Sequence, residues 1–222
     1  TLNLKITTLN PSIHKIAIEL LKQGPKLATK EDISKVVKGQ PEVLHKLEQN
    51  DIVTVWGPPG TGKTYTMSQI AKLYMKQGKS ILIVSHSNVS VDGVIKKIVE
   101  ILDKDMMLEL QKGKILRYGY VRDDELSKNP YATSFNFALG KCTTLAAELD
   151  ALTKKREELK QKRNVEKAEY DAVEKKIKDI RSEVRKEEKR YVERAQLIGT
   201  TISRATVDPM FDTRQFDLVM FD

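Results

Sequence analysis

The chain has 222 residues, of which 40% are hydrophobic and 32% charged, enough for one large domain or two small ones. Lysine and arginine outnumber aspartate and glutamate by 39 to 31, a basic balance that is compatible with a polyanionic partner but does not require one. No apolar run approaches the ~20 residues of a membrane-spanning helix, so we expect no membrane segment. The single Cys142 leaves no internal disulfide, which predicts a reducing, cytoplasmic compartment.

The first 36 residues are predicted to form a helical lead-in. Asn10-Pro11-Ser12 precedes an amphipathic pattern that ends at Gly24-Pro25, and a second short helix is predicted for residues 41–49. The chain begins with Thr1 rather than methionine, so we interpret it as part of a longer protein.

The most informative segment is the phosphate-binding loop pattern G-x-x-x-x-G-K-[ST], which residues 57–64 match at every fixed position. Glycines let successive backbone N–H groups surround phosphate oxygens, a lysine brings charge to the outer phosphates, and a Thr hydroxyl can ligate Mg²⁺. Residues 52–56 before the loop predict a buried strand, and residues 65–76 after it predict a helix. We therefore expect ATP and Mg²⁺ as cofactors, held by Gly57, Pro58, Pro59, Gly60, Thr61, Gly62, Lys63 and Thr64.

Beyond the loop, strands and helices alternate. Strands are predicted for residues 80–85 and 114–120, with a helix for residues 91–102 between them. This order predicts an α/β fold in which helices flank a parallel sheet.

Residues 141–196 differ in character, because no Gly or Pro lies between Lys141 and Ile198 and apolar residues recur at coiled-coil spacings. A single helix of this length would carry the chain about 75 Å away, at 1.5 Å per residue. Because strand-like segments follow, we predict an inserted antiparallel hairpin that turns near residues 160–167. The alternative is one continuous rod, which the unbroken heptad register favours.

After this insertion, strands are predicted at residues 196–201 and 216–222. The last of these has four apolar residues followed by Asp222, the form of a strand whose terminal carboxylate assists Mg²⁺ in phosphate-loop enzymes. Lys63, Thr64 and Asp222 are therefore the predicted catalytic residues, with Thr64 and Asp222 as the metal ligands.

With these motifs the chain resembles the superfamily 1B helicases, the group that includes the nonsense-mediated decay helicase. Ser85-His86-Ser87-Asn88-Val89-Ser90-Val91-Asp92 is similar to the second motif of that family, although His86 replaces its proline and Ser90 its alanine. The resemblance implies that Ser87 and Asn88 contact a nucleic-acid backbone and that Asp92 organises the loop. It also implies that Thr200 and Thr201, in the segment 199–205, contact the nucleic-acid strand.

The resemblance further implies that Gln40, seventeen residues before Gly57, reads the adenine edge. It implies a RecA-like ATP-binding domain formed by residues 37–140 and 197–222, interrupted by the coiled-coil hairpin at 141–196. In such motors a second RecA-like domain supplies arginines to the γ-phosphate, so we expect this chain alone to hydrolyse ATP poorly. The sequence does not distinguish single-stranded DNA from single-stranded RNA as the partner.

Two other functions are compatible with parts of the sequence. The loop also occurs in hexameric AAA+-like remodelling ATPases, and the coiled coil suits a non-enzymatic docking module that binds a protein partner. Tyr118, Tyr120 and Tyr131 are candidates for stacking on nucleobases, although no repeat of basic and aromatic residues surrounds them.

Overall fold

A computed structural model describes residues 43, 46, 47, 49–57, 60–161 and 167–222. The predicted lead-in of residues 1–36, the adenine-reading Gln40 and the loop residues Pro58 and Pro59 lie outside the described residues. Of the turn predicted near residues 160–167, residues 162–166 also lie outside them, and residues 160, 161 and 167 are helical.

Within the described ranges, one parallel sheet is formed by the strands β1 (Ile81–Ser85), β2 (Ile115–Arg117), β3 (Leu197–Thr201) and β4 (Leu218–Phe221). Their order across the sheet is β2-β3-β1-β4. Parallel pairing aligns Ile81 of β1 with Leu197 of β3 on one side and with Leu218 of β4 on the other. The predicted α/β class with a parallel sheet and flanking helices is confirmed.

Helices cover both faces of this sheet. None of those described is both long and apolar enough to cross a membrane. The helices are α1 (Lys63–Lys76), α2 (Asn88–Glu100), α3 (Lys104–Gln111), α4 (Asp124–Lys128), α5 (Ser134–Lys141), α6 (Thr143–Gln161), α7 (Lys167–Arg194), α8 (Ile202–Val207) and α9 (Met210–Thr213).

Alternating side chains of the strands build two separate cores, because successive residues of a strand point to opposite faces. Ile81 and Ile83 of β1 belong to the core that α1, α2 and α3 cover. Leu82 and Val84 belong to the opposite core, which includes Phe137 of α5 and residues from the end of α7. The sheet is therefore the middle layer of three.

The helix α2 shows how local sequence positions an element on the sheet. The Ser87 hydroxyl caps its first turn by accepting a hydrogen bond from the backbone N–H of Ser90. The α2 residues Val91, Val94, Ile95 and Ile98 recur at helical spacing and are fully buried, so they form the apolar stripe that packs on the strands.

The helices α6 and α7 pack side by side, and Lys155 of α6 lies 2.9 Å from Glu169 of α7 in an ion pair. In one continuous helix these residues would be about 21 Å apart, at 1.5 Å per residue. The chain therefore reverses direction between the two helices. Leu159, Val173 and Ile177 belong to the shared core, which extends to Ala138 of α5; the supercoil itself stays a prediction.

The prediction of a buried strand at residues 52–56 is wrong for this structure. These residues have no regular ladder pairing, and Thr54 and Trp56 are exposed. The β-branched composition gives the segment strand propensity, but a strand also needs a neighbouring backbone to accept and donate its hydrogen bonds. Val55 still packs against the core beneath α1, which fixes where the phosphate-binding loop begins.

Candidate functional site

The phosphate-binding loop lies directly before α1, and its glycines have the conformations that the loop shape requires. Gly60 and Gly62 both have φ of 84°, in the left-handed region that L-residues with a side chain rarely adopt. A Cβ placed on Gly57 would lie 2.5 Å from the Thr61 hydroxyl oxygen, so the first glycine permits a close approach of the two ends of the loop.

The start of α1 suits an anion. Its N-cap residue is Gly62, which has no side chain to cap the first turn, whereas α2 is capped by a serine. The backbone N–H groups of a first helical turn and the helix dipole both favour negative charge. Lys63, the first residue of α1, donates a hydrogen bond from Nζ to the carbonyl oxygen of Gly57 at 2.6 Å, which holds its ammonium group over the loop.

A cavity of about 450 Å³ adjoins this loop and lies between the start of α1 and the middle and end of α2. On the α2 side the charges are partly balanced, because Lys96 pairs with Glu125 at 2.6 Å and Lys97 with Glu100 at 2.7 Å. The cavity is lined by Gly60, Gly62, Lys63, Thr64, Tyr65, Gly93, Lys96, Lys97 and Glu100.

Asp222 follows β4 and lies at the carboxyl edge of the sheet. Its backbone N–H donates to the carbonyl oxygen of Val84 at 3.0 Å, and the residue is exposed. The helix α1 precedes β1 through the short connection 77–80 and packs on it, so the N-terminus of α1 lies toward this same edge. The topology thus places Thr64 and Asp222 at one edge of one sheet.

These two residues fit the ligand chemistry of Mg²⁺, which prefers oxygen donors and is bound through one or two carboxylates plus substrate phosphates. Thr64 has a hydroxyl directly after the glycine-rich loop, and Asp222 has a carboxylate at the same edge of the sheet. Among the described residues no group of three or more His, Cys, Asp or Glu side chains forms a metal cluster. A site completed by phosphate oxygens needs no such cluster.

A second group of predicted residues lies where β1 ends and α2 begins. Ser87 is exposed, and its hydroxyl caps α2 and contacts the hydroxyl of Ser90 at 3.0 Å. Asn88, the first residue of α2, accepts a hydrogen bond at Oδ1 from Arg117 Nη2 at 2.9 Å. Both residues therefore lie at the carboxyl edge with their side chains held in place.

Asp92 organises the neighbouring loop at residues 122 and 123, whereas the resemblance implied that it organises the loop of its own motif. Its Oδ1 accepts from Arg117 Nε at 2.6 Å, and its Oδ2 accepts from the backbone N–H groups of Arg122 and Asp123. Both partners of the ion pair are essentially fully buried. Burial lowers the pKa of Arg117, and the hydrogen bond to Asp92 opposes that shift.

Contacts with the nucleic-acid strand were also predicted for Thr200 and Thr201. These two residues differ in accessibility. Thr200 is fully buried, and its hydroxyl has no hydrogen-bond partner in the part of the chain that the structure describes. Thr201 is partly exposed at the end of β3, and its hydroxyl accepts from the backbone N–H of Arg204, which caps α8.

Arg117, which was not predicted as a functional residue, connects these features. Its guanidinium donates to Asp92, to Asn88 and to the carbonyl oxygens of Tyr118 and Tyr120. A signal was present, since an arginine inside an otherwise apolar strand has to find a buried acceptor.

The family model AAA_11, described as "AAA domain", matches residues 37–222. Over 78 residues the chain is 38% identical to "DNA-binding protein SMUBP-2" of Mesocricetus auratus, a stretch that covers 35% of this chain and 7% of that protein.

Two yeast proteins also match. "DNA polymerase alpha-associated DNA helicase A" of Saccharomyces cerevisiae is 36% identical over 63 residues, which is 28% of this chain and 9% of that protein. "DNA replication ATP-dependent helicase/nuclease DNA2" of the same species is 33% identical over 60 residues, 27% of this chain and 4% of that protein. The matched stretches are thus a small part of each relative.

Proposed function

The chain belongs to the AAA_11 family, the superfamily 1 helicase-type domain, and on that premise we propose that it is the ATP-binding half of an ATP-dependent DNA or RNA helicase motor. The observation that carries the proposal is the parallel topology, in which the glycine-rich loop at the start of α1 and Asp222 after β4 both lie toward the carboxyl edge of one sheet. The family match and the helicase relatives do not favour a remodelling ATPase or a non-enzymatic docking module.

In the proposed nucleotide site each residue has a separate task. The backbone of residues 57–62 surrounds the phosphates, and Lys63 Nζ exchanges its hydrogen bond with Gly57 for one with an outer phosphate oxygen. The Thr64 hydroxyl and the Asp222 carboxylate hold Mg²⁺, which when bound neutralises part of the charge on the phosphates. Gln40 reads the adenine edge, as the resemblance implies.

The nucleic-acid strand is proposed to cross the carboxyl edge beyond β1 and β3. Ser87, Asn88, Thr200 and Thr201 are the proposed backbone contacts, of which Thr200 needs a local rearrangement because its hydroxyl is buried. The whole enzyme would carry a second RecA-like domain that closes the ATP site and supplies arginines, so that hydrolysis drives steps along a single strand. Because the three relatives are named for DNA, single-stranded DNA is the first probe to use.

The nucleotide site is tested by titrating the chain with fluorescent ATP in the presence of Mg²⁺. We expect Lys63→Ala to weaken binding by about tenfold or more, because a charge-assisted contact with the phosphates is lost. Lys112→Ala is the matched control, since Lys112, the residue directly after α3, is 64% exposed and forms an ion pair only with Glu109 among the described residues. Equal binding by Lys63→Ala and the control would refute the phosphate-loop assignment.

A further inference from the structure

The three tyrosines considered for base stacking differ sharply in exposure. Tyr118 is 1% exposed, Tyr131 is 41% exposed and Tyr120 is 71% exposed. The Tyr118 hydroxyl donates to Asp208 at 2.5 Å, and burial raises the pKa of Tyr118 to about 12. Tyr118 is thus a structural residue, whereas Tyr120 presents most of its ring to solvent.

Tyr120 lies just past the carboxyl end of β2, at the edge of the sheet where Asn88 begins α2. Its backbone is fixed by Arg117, whose Nη2 donates to the carbonyl oxygen of Tyr120 at 2.7 Å and to Asn88 Oδ1 at 2.9 Å. One nitrogen atom therefore holds both residues next to each other. Gly119, with φ of 108°, makes the turn that brings Tyr120 back toward the guanidinium.

The same contact sets the orientation of the Asn88 amide. A guanidinium only donates hydrogen bonds, so Asn88 has to present its oxygen to Arg117, and its nitrogen points away from Arg117. The amide nitrogen is a donor suited to a phosphate oxygen. Arg122 is exposed in the loop after β2, and its backbone N–H donates to Asp92 Oδ2, so this loop also carries a positive charge.

We propose that Tyr120 and Asn88 form a one-nucleotide subsite, in which the Tyr120 ring stacks on a nucleobase while the Asn88 amide binds the adjoining phosphate. The inference rests on the proposed function and adds a base contact to its backbone contacts. Every nucleobase has a π-face, so stacking of this kind does not select a sequence. Arg117 is a positioning residue, since it holds both contacts from inside the protein.

The proposal is tested by fluorescence anisotropy with a labelled oligo(dT) and with a probe of equal length that carries only abasic deoxyribose phosphates. We expect Tyr120→Ala to weaken oligo(dT) binding by about 5- to 150-fold, the range measured when a stacking aromatic is replaced by alanine. Binding of the abasic probe should be unchanged, and Tyr120→Phe should bind both probes as the wild type does. Asn88→Ala should weaken both probes by the same factor.

Tyr131→Ala is the matched control, because Tyr131 lies in the segment that runs beside β2 rather than beyond its end. A second readout is direct: an oligo(dT) with one 5-iodouracil should crosslink to Tyr120 on irradiation, as judged by mass spectrometry.

The proposal is overturned if Tyr120→Ala binds oligo(dT) like the wild type, or if this substitution weakens the binding of both probes equally. If the wild type binds neither probe, the proposed helicase function fails as well, which separates the two outcomes.

Discussion

Gly62 is the residue at which the loop becomes a helix, and its conformation has a measurable consequence. At φ of 84°, a Cβ would strain the backbone by roughly 1–2 kcal/mol. We expect Gly62→Ala to lower the free energy of unfolding by about that amount. It should also weaken ATP binding, because relief of the strain moves the N–H groups of the loop.

Gly140→Ala is the control for that change, since Gly140 lies inside α5 with ordinary φ and open space around the added methyl group. Replacing glycine by alanine inside a helix should leave ATP binding intact and raise stability by up to about 1 kcal/mol. Urea unfolding and ATP titration on both variants provide the comparison. Unchanged stability and affinity in Gly62→Ala would contradict the loop geometry.

The site residues that could be predicted from the sequence are those that belong to a contiguous sequence pattern. The loop 57–64 is a contiguous pattern, and the terminal Asp222 follows its apolar strand directly. Arg117 and Asp92 are 25 residues apart, and their pairing appears only when β2 and α2 are packed together. The role of Tyr120 depends on that pairing, so its position next to Asn88 could not be inferred from the sequence.

At the scale of elements, α7 is connected through one buried carboxyl group to the residues around Arg117 at the carboxyl edge of the sheet. Glu188, 6% exposed, contacts the Ser134 hydroxyl at the start of α5, and that hydroxyl also lies 3.1 Å from the carbonyl oxygen of Arg117. A hydroxyl has one proton, so it cannot donate to both acceptors at once. A protonated Glu188 removes the conflict, because its carboxyl O–H donates to the Ser134 hydroxyl oxygen. The Ser134 hydroxyl then donates its own proton to the carbonyl oxygen of Arg117.

This arrangement predicts how stability depends on pH. Burial raises the pKa of Glu188 above its usual 4.5, although Ser134, Arg204 and Arg185 oppose the shift; Asp208 adds to it. For a carboxyl with a raised folded-state pKa, the stabilising contribution is complete below pH 4.5 and is lost as pH rises through the folded-state pKa.

We expect Glu188→Gln, which cannot ionise, to escape this loss. Its free energy of unfolding relative to the wild type should rise from pH 4.5 toward neutrality. Glu187→Gln is the control on the same helix, because Glu187 is 39% exposed and pairs with Arg190, and it should show no such rise. Urea unfolding between pH 4 and 8 measures both; parallel curves for the two variants would show that burial of Glu188 has no such effect.

The elements that sequence predicted well have a strong local pattern. The run 81–84 is apolar throughout, and α2 has an apolar stripe with a serine cap. The five- to eight-residue helices α3, α4 and α5 were not predicted, although each begins at a side-chain cap, because so short a helix has too few turns to show a period. The segment 52–56 was overpredicted, since propensity says nothing about a pairing partner.

At the scale of the whole molecule, the parallel topology concentrates function at one edge. All four described strands run in the same direction, so the phosphate-binding loop, Asp222, Asn88 and Tyr120 all lie toward the carboxyl ends. Helices α1 and α2 cover one face, and α5 and α7 cover the other. The proposed nucleotide site and the proposed nucleic-acid contacts are therefore neighbours, because both adjoin β1 and α2.

The central claim is that the loop and Asp222 serve one Mg²⁺–nucleotide site. It is tested most directly by measuring the ATP dissociation constant with Mg²⁺ and with EDTA, for the wild type, Asp222→Asn and the exposed control Asp105→Asn. We predict that Mg²⁺ strengthens ATP binding to the wild type and to the control, and that Asp222→Asn loses most of this gain while binding in EDTA is unchanged. If Asp222→Asn gains as much from Mg²⁺ as the wild type does, the two motifs do not form one site.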